Sequence, residues 1–224
     1  MNVSIIIPIH KPDKSLLKKV IIGINKQEFK DKIEIIKVDK KWCLAKSLNY
    51  GIKKSKYRII VTIHQDCIPK SNDWLSFLLK PLEKDEIVAT CSKIYDLENK
   101  KIYTPLLDEK GCAYKKEALA KINYFDEKTF LNSGEDMDLY MKLKKIGKIE
   151  YPDCMVEHYH KGYLIKKSEY KIKQNANTWG CLFRIYGFKV PGVWGALLKA
   201  NIFKFDYFYW FWRGFLKKKQ DFRR

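Results

Sequence analysis

What this 224-residue chain lacks narrows it first. Its six cysteines (Cys43, Cys67, Cys91, Cys112, Cys154, Cys181) form no CxxC pair and no zinc-ligand spacing, which excludes a zinc module and a dithiol redox centre. Free thiols in a reducing compartment are the simplest account. Between Phe203 and Phe222 the longest charge-free stretch is YFYWFW, residues 207–212. A bilayer-spanning helix needs about 20 apolar residues, so this segment crosses no membrane. The N-terminus enters VSIIIP at once, without the basic and then long apolar stretch of a secretory leader, and the expected location is the cytoplasm. Internal repeats and low-complexity linkers are also lacking, which excludes solenoid architectures. Acidic residues are scarce: 26 Asp+Glu against 45 Lys+Arg leave a net charge of +19. Such a field draws nucleic acid, an anionic lipid surface or phosphorylated substrates, although a lysine-rich composition with no partner gives the same balance.

What is present reads as a packed α/β globule. Hydrophobic residues make up 46% and aromatics 14%, enough for one sizeable core. The segment VSIIIP (3–8) is a strand, followed by a helix with Leu16, Val20 and Ile24 on one stripe and Asp13 as its N-cap. IEIIKVD (33–39) is a second strand, and Leu44, Leu48 and Ile52 mark a second amphipathic helix. RIIVTIHQD (58–66) is the third strand. Strands alternating with helices imply right-handed crossovers and a parallel sheet covered on both faces, with ligands bound beyond the carboxyl ends of the strands. Asp39 and Asp66 lie at two such ends and His10 just past the first, so one crevice can gather them.

Further on, NDWLSFLLKPL predicts a short helix stopped at Pro81, EIVATCSKIY a strand, and residues 96–112 a loop. FLNSGEDMDLYMKLKKIG predicts a helix burying Leu139, Leu143 and Ile146 and stopped at Gly147. Glu135 and Asp136 stand at its start, where the helix dipole alone favours acids and where catalytic carboxylates would also fit. Catalytic chemistry is assigned to residues 1–165 and a helical extension to 166–224.

The ordered series VSIIIPIHKP, IIKVD, LAKSLNYGI, IHQDCIP, GCAYKKEAL, FDE and GEDMDL…VEH resembles the family 2 glycosyltransferases over roughly residues 3–160. The resemblance implies the A-type glycosyltransferase fold, a single Rossmann-like nucleotide-binding domain. It also implies an inverting hexosyl transfer from a UDP- or dTDP-sugar to a glycan or lipid-linked acceptor, as in polysaccharide biosynthesis. Carried over residue by residue, Pro8, Ile9 and His10 line the base pocket, and Asp39 accepts a hydrogen bond from the pyrimidine N3–H. His64 and Gln65 belong to the donor site. Asp66 and His158 reach the divalent cation, Mn2+ or Mg2+, with His160 the next candidate. Asp136 is the general base, and Glu135 orients the acceptor or the base. Hard divalent cations favour carboxylate oxygen, phosphate oxygen and water, which suits Asp66. Gly111, Cys112 and Ala113 would allow close approach of substrate to backbone.

Three departures from the family pattern stand out. His64 replaces the first acid of Asp-x-Asp, only KKWC separates Asp39 from Leu44, and Leu48 stands where an arginine is common. They leave open a non-catalytic nucleotide-sugar or glycan-binding protein of the same fold. The basic aromatic tail leaves two readings, packing on the catalytic domain or attachment to the inner face of the cell membrane. A nucleic-acid-binding protein rests on charge and the tail alone.

Overall fold

The computed structural model describes residues 1–131, 133–159, 169–202, 205–217 and 220. In chain order these form β1 (Val3–Ile9), α1 (Lys14–Asn25), β2 (Ile33–Asp39), α2 (Leu44–Lys54), β3 (Ile59–Thr62), β4 (Cys67–Pro69), α3 (Trp74–Leu79), β5 (Ile87–Cys91), β6 (Lys93–Asp96), β7 (Lys101–Tyr103), β8 (Cys112–Lys115), α4 (Lys116–Lys121), α5 (Glu135–Leu143), β9 (Lys148–Glu150), β10 (Met155–His158), α6 (Glu169–Tyr186), α7 (Val193–Ile202) and α8 (Phe205–Leu216).

The main sheet has the order β2-β1-β3-β8-β5-β9. Its first three strands are parallel, as strand-helix alternation requires: Ile9 pairs with Asp39, and Ile6 with Thr62. β1 is buried almost throughout, so it reads as a continuous apolar run rather than an alternating one. Asp13 caps α1 by accepting from the Ser15 and Leu16 amides, and the helix buries Leu16, Val20 and Ile24. One apolar layer under α1 and α3 contains Val20, Ile24, Trp74 and Leu78. The opposite layer, under α2, α4 and α5, contains Leu48, Ile52, Leu119, Leu139 and Leu143.

Four expectations change. The sheet is mixed, because β8 enters between β3 and β5 and runs antiparallel to both. The third strand stops at Thr62; the chain turns through residues 63–66 and β4 starts at Cys67. The predicted loop 96–112 contains β7, which joins a second sheet of order β4-β10-β6-β7. α5 ends at Leu143 and leaves Ile146 40% exposed, and the need for glycine at 147 is steric: a Cβ there would lie 2.3 Å from Val88.

In the C-terminal helices, α6 and α8 cross at backbone contact. A Cβ on Gly180 would lie 1.9 Å from the Phe211 carbonyl, and one on Gly214 2.1 Å from the Asn177 carbonyl. Tyr207 and Phe211 are buried in this crossing while Phe208 and Tyr209 face outward, so the aromatic stretch divides between packing and solvent.

Candidate active site

The ends of β1 and β3 open into a cavity of about 480 Å³. Pro8, Ile9 and His10 form one wall, His64, Gln65 and Asp66 a second, Trp42, Cys43, Leu44 and Ser47 a third, and Leu131 and Gln174 close it. The two strand ends are tied together: the His10 amide donates to Gln65 Oε1 at 2.9 Å, and Gln65 Nε2 donates to the His10 carbonyl at 2.7 Å. The Gln65 amide is thereby engaged with backbone. Asp39 is exposed beside Ile9 and is not among the lining residues. Trp42 at the rim meets Tyr50 edge to face at 5.4 Å, with the Lys46 ammonium over its ring at 4.9 Å.

The second sheet explains how residues 92 positions apart meet, as Asp66 and His158 do. β10 runs antiparallel to β4 with His158 opposite Cys67, and the Tyr159 amide donates to the Asp66 carbonyl. His158 Nε2 then lies 3.6 Å from Asp66 Oδ2. Ligand atoms of Asp66, Cys67 and His158 all lie within 4.8 Å of one another. Burial would raise the Asp66 pKa, but hydrogen bonding from His158 and the nearby imidazoles hold it below the usual value. Burial pushes the Cys67 thiol well up, and a soft sulfur is a poor partner for a hard cation. Asp66, which lines the cavity, with the buried His158 imidazole behind it, fits a hard divalent cation that takes its other ligands from phosphate and water. His64 is held neutral, its pKa pushed down to about 4 by burial and then by Lys110. Its Nε2 is buried with no partner among the described residues. His160 lies outside them.

The acidic pair comes from α5. Gly134 caps the helix at φ +94°, where a Cβ would also lie 2.5 Å from Thr178 and 3.0 Å from Phe130. Glu135 is buried and its pKa is pushed up to about 8, by burial first and then by Asp136. Asp136 is raised by burial and by Asp108, although it accepts from the Met137 amide at 2.7 Å.

Two contributions escaped sequence reasoning. The turn Asp108-Glu109-Lys110 lies in the segment read as loop. Lys110 Nζ grips both Asp108 oxygens at 2.9 and 2.7 Å. Glu109 is 3% exposed, its Oε1 has no described partner, and burial with Asp136 and Glu135 drives its pKa far up. The one available signal was three consecutive charges ahead of a small-residue turn. The other contribution is the far end of the chain. The Gln220 amide donates to the Thr129 carbonyl, and its Oε1 accepts from the Leu131 amide at 2.9 Å. Its Nε2 donates to the Ser133 carbonyl at 2.6 Å and to Thr178 Oγ1 at 2.8 Å. Ser133 and Thr178 also share a 2.7 Å hydrogen bond. Gln220 therefore holds the segment that carries a cavity wall, Leu131, and leads into Glu135. Nothing in its local sequence announces this.

A Rossmann-like sheet with a cavity at its strand ends, an acid-histidine pair at the rim and buried carboxylates nearby defines the A-type glycosyltransferase fold. The family model described as glycosyl transferase family 2 matches residues 13–135, more than half of the chain, and the chain belongs to that family. Solved structures agree in fold. GalNAc-T7 with UDP, GalNAc and Mn2+ superposes with a TM-score of 0.66 at 12% identity, covering 89% of this chain and 50% of that one. This chain thus spans half the length of that relative. The mannosyltransferase PcManGT of Pyrobaculum calidifontis, with GDP-Man and Mn2+, gives 0.62 at 14% identity over 96% of this chain and 73% of its own. S. aureus TarS 1-349 gives 0.60 at 13% identity over 96% and 79%. No curated protein matches the chain in sequence.

Proposed function

We propose that this chain is an inverting hexosyltransferase that moves a sugar from a UDP- or dTDP-sugar to a hydroxyl of a glycan or lipid-linked acceptor. The observation that carries the proposal is the meeting of Asp66 and His158 at 3.6 Å beside a cavity walled by the ends of β1 and β3. Residues 1–165 would form the catalytic domain and 166–224 its helical extension. Pro8, Ile9, His10 and Trp42 would enclose the nucleoside, and Asp39, beside Ile9, would accept from the pyrimidine N3–H. Gln65 would act through the wall it builds with His10. His64, neutral and with a free ring nitrogen, would meet the ribose or a bound water.

Asp66 and His158 would hold Mn2+ or Mg2+, whose chemistry is to offset the charge that develops on the departing diphosphate. Asp136 would take the proton from the acceptor hydroxyl. The acceptor oxygen then bonds to C1 from the face opposite the nucleotide, and the bond from C1 to the diphosphate oxygen breaks with its electron pair leaving on phosphate. Glu135, holding a proton, would orient the acceptor.

Calorimetry with UDP and with dTDP, each with Mn2+, with Mg2+ and with chelator, tests the donor site. Metal-dependent binding that disappears in Asp66→Ala supports the reading. Binding of neither nucleotide under any of these conditions would sink it. Binding with no turnover of any donor would favour the non-catalytic alternative.

A further inference from the structure

Three large apolar side chains on the C-terminal helices stand in solvent where packing gives no reason for them. Phe188 is 58% exposed, Trp194 63% and Leu198 55%. They are held in place: Val190 and Val193 are buried beneath, and Gly192 turns at φ +82° against the Trp179 ring. The Phe188 and Trp194 rings stack at 4.6 Å with 21° between their planes, and Phe188 leans on Phe183 behind it at 5.2 Å. The inner face of α7 is satisfied, and an ordered apolar ridge remains on its outer face.

The stretch of sequence that carries this ridge has charge of one sign. From Tyr170 to Phe205, 36 residues, there is no Asp or Glu, while Lys171, Lys173, Arg184, Lys189, Lys199 and Lys204 supply six cations. Lys189 and Lys199, each next to a ridge residue in sequence, are exposed. No described helix is long and apolar enough to cross a membrane.

We propose that residues 188–199 form a docking surface for an anionic lipid bilayer, with Phe188, Trp194 and Leu198 entering the interface and Lys189 and Lys199 meeting the headgroups. Aromatic rings favour the headgroup level, and lysine stems lie along apolar surface while their ammonium groups reach anions. Leu198 is aliphatic and 55% exposed, which suits acyl chains better than the stacking surfaces of single-stranded nucleic acid. A second copy would bring like charges together, which argues against self-association. The surface also differs from the YFYWFW stretch, half of which is consumed by the α6–α8 crossing. At 1.5 Å per residue, the 12 residues from Gln174, at the cavity, to Tyr186, beside the ridge, span about 18 Å along α6. One rigid helix would then link the lipid surface to the site, which suits the lipid-linked acceptor proposed above.

Co-sedimentation tests this with vesicles of phosphatidylcholine alone and of equal parts phosphatidylcholine and phosphatidylglycerol. The full chain is expected to bind the anionic vesicles and to leave them as salt rises. The pair Phe188→Ala and Trp194→Ala should weaken that binding by about tenfold with thermal stability unchanged, because both side chains are exposed. Lys189→Glu with Lys199→Glu should do the same. The proposal is overturned if the wild-type chain ignores anionic vesicles or if the apolar pair of substitutions leaves binding as it was. A rise in mass without vesicles that the same substitutions abolish would assign the ridge to a second copy instead. UDP binding with Mn2+, measured on the same samples, reports the donor site separately, so either reading can fail alone.

Discussion

Asp108, Glu109, Glu135 and Asp136 crowd around one cation among the described residues, Lys110, which is already committed to Asp108. Four negative charges cannot be sustained there, and the burial of Glu109 and Glu135 selects these two to carry protons. Of the three acids that Lys110 does not grip, Asp136 is the least buried and accepts from a backbone amide, so it is the best placed of them to ionise, although with a raised pKa. Asp136→Asn should therefore leave nucleotide binding intact and lower transfer by about 10² to 10⁴, a general base's usual share. Turnover equal to wild type would remove Asp136 from the mechanism. The acid limb of the rate profile should sit above an ordinary aspartate's and move down in Asp108→Asn, which removes a like charge and frees Lys110.

Glu135 adds a stability signature. Its pKa in the folded chain, about 8, lies above a glutamate's ordinary 4.5, so between these limits the unfolded chain has lost a proton that the folded chain retains. Stability is then fullest below about pH 4.5 and falls as pH rises toward 8. Glu135→Gln removes that dependence and should stabilise the chain by about 1–3 kcal/mol at the alkaline end, with little gain in acid. Melting temperatures of both proteins across this range check it; parallel curves would refute the burial of a protonated Glu135.

At the level of elements, close backbone approach at Gly180 and at Gly214 fixes how α6 and α8 sit together. Neither partner at the α6–α8 crossing is a flexible side-chain end, so Gly180→Ala cannot be relieved by a rotamer change. It should cost about 3 kcal/mol, read as a drop in melting temperature. Gln220 makes a local prediction. Gln220→Ala should cost about 1–3 kcal/mol and deprotect the Leu131 amide in hydrogen exchange while the β1 amides stay protected. Unchanged exchange at Leu131 would mean that the segment is held without Gln220. Legibility also divides by element. β1, β2, α1 and α2 were readable because apolar periodicity and the Asp13 cap are local signals. The direction of β8 was not, since antiparallel insertion between β3 and β5 depends on partners far away in sequence. The second sheet escaped for the same reason, and with it the register that sets His158 opposite Cys67.

Across the whole molecule, the site was partly legible. Asp66, His158 and the Glu135-Asp136 pair could be carried over because they sit in ordered motifs. Glu109 could not, since its significance is burial, which a three-residue charged turn conceals. Net charge is compatible with anionic partners and locates no surface, and only exposure located the ridge at Phe188, Trp194 and Leu198.

The reach of Gln220 has a consequence for synthesis. The wall residue Leu131 and the approach to Glu135 are pinned by a side chain made nearly ninety residues after them. On the ribosome, the walls that β1 and β3 supply and the Asp66–His158 meeting can assemble once β10 has paired with β4, well before Leu131 is secured. Under the function proposed above, a nascent chain would thus hold a donor before the segment leading into Glu135 was fixed.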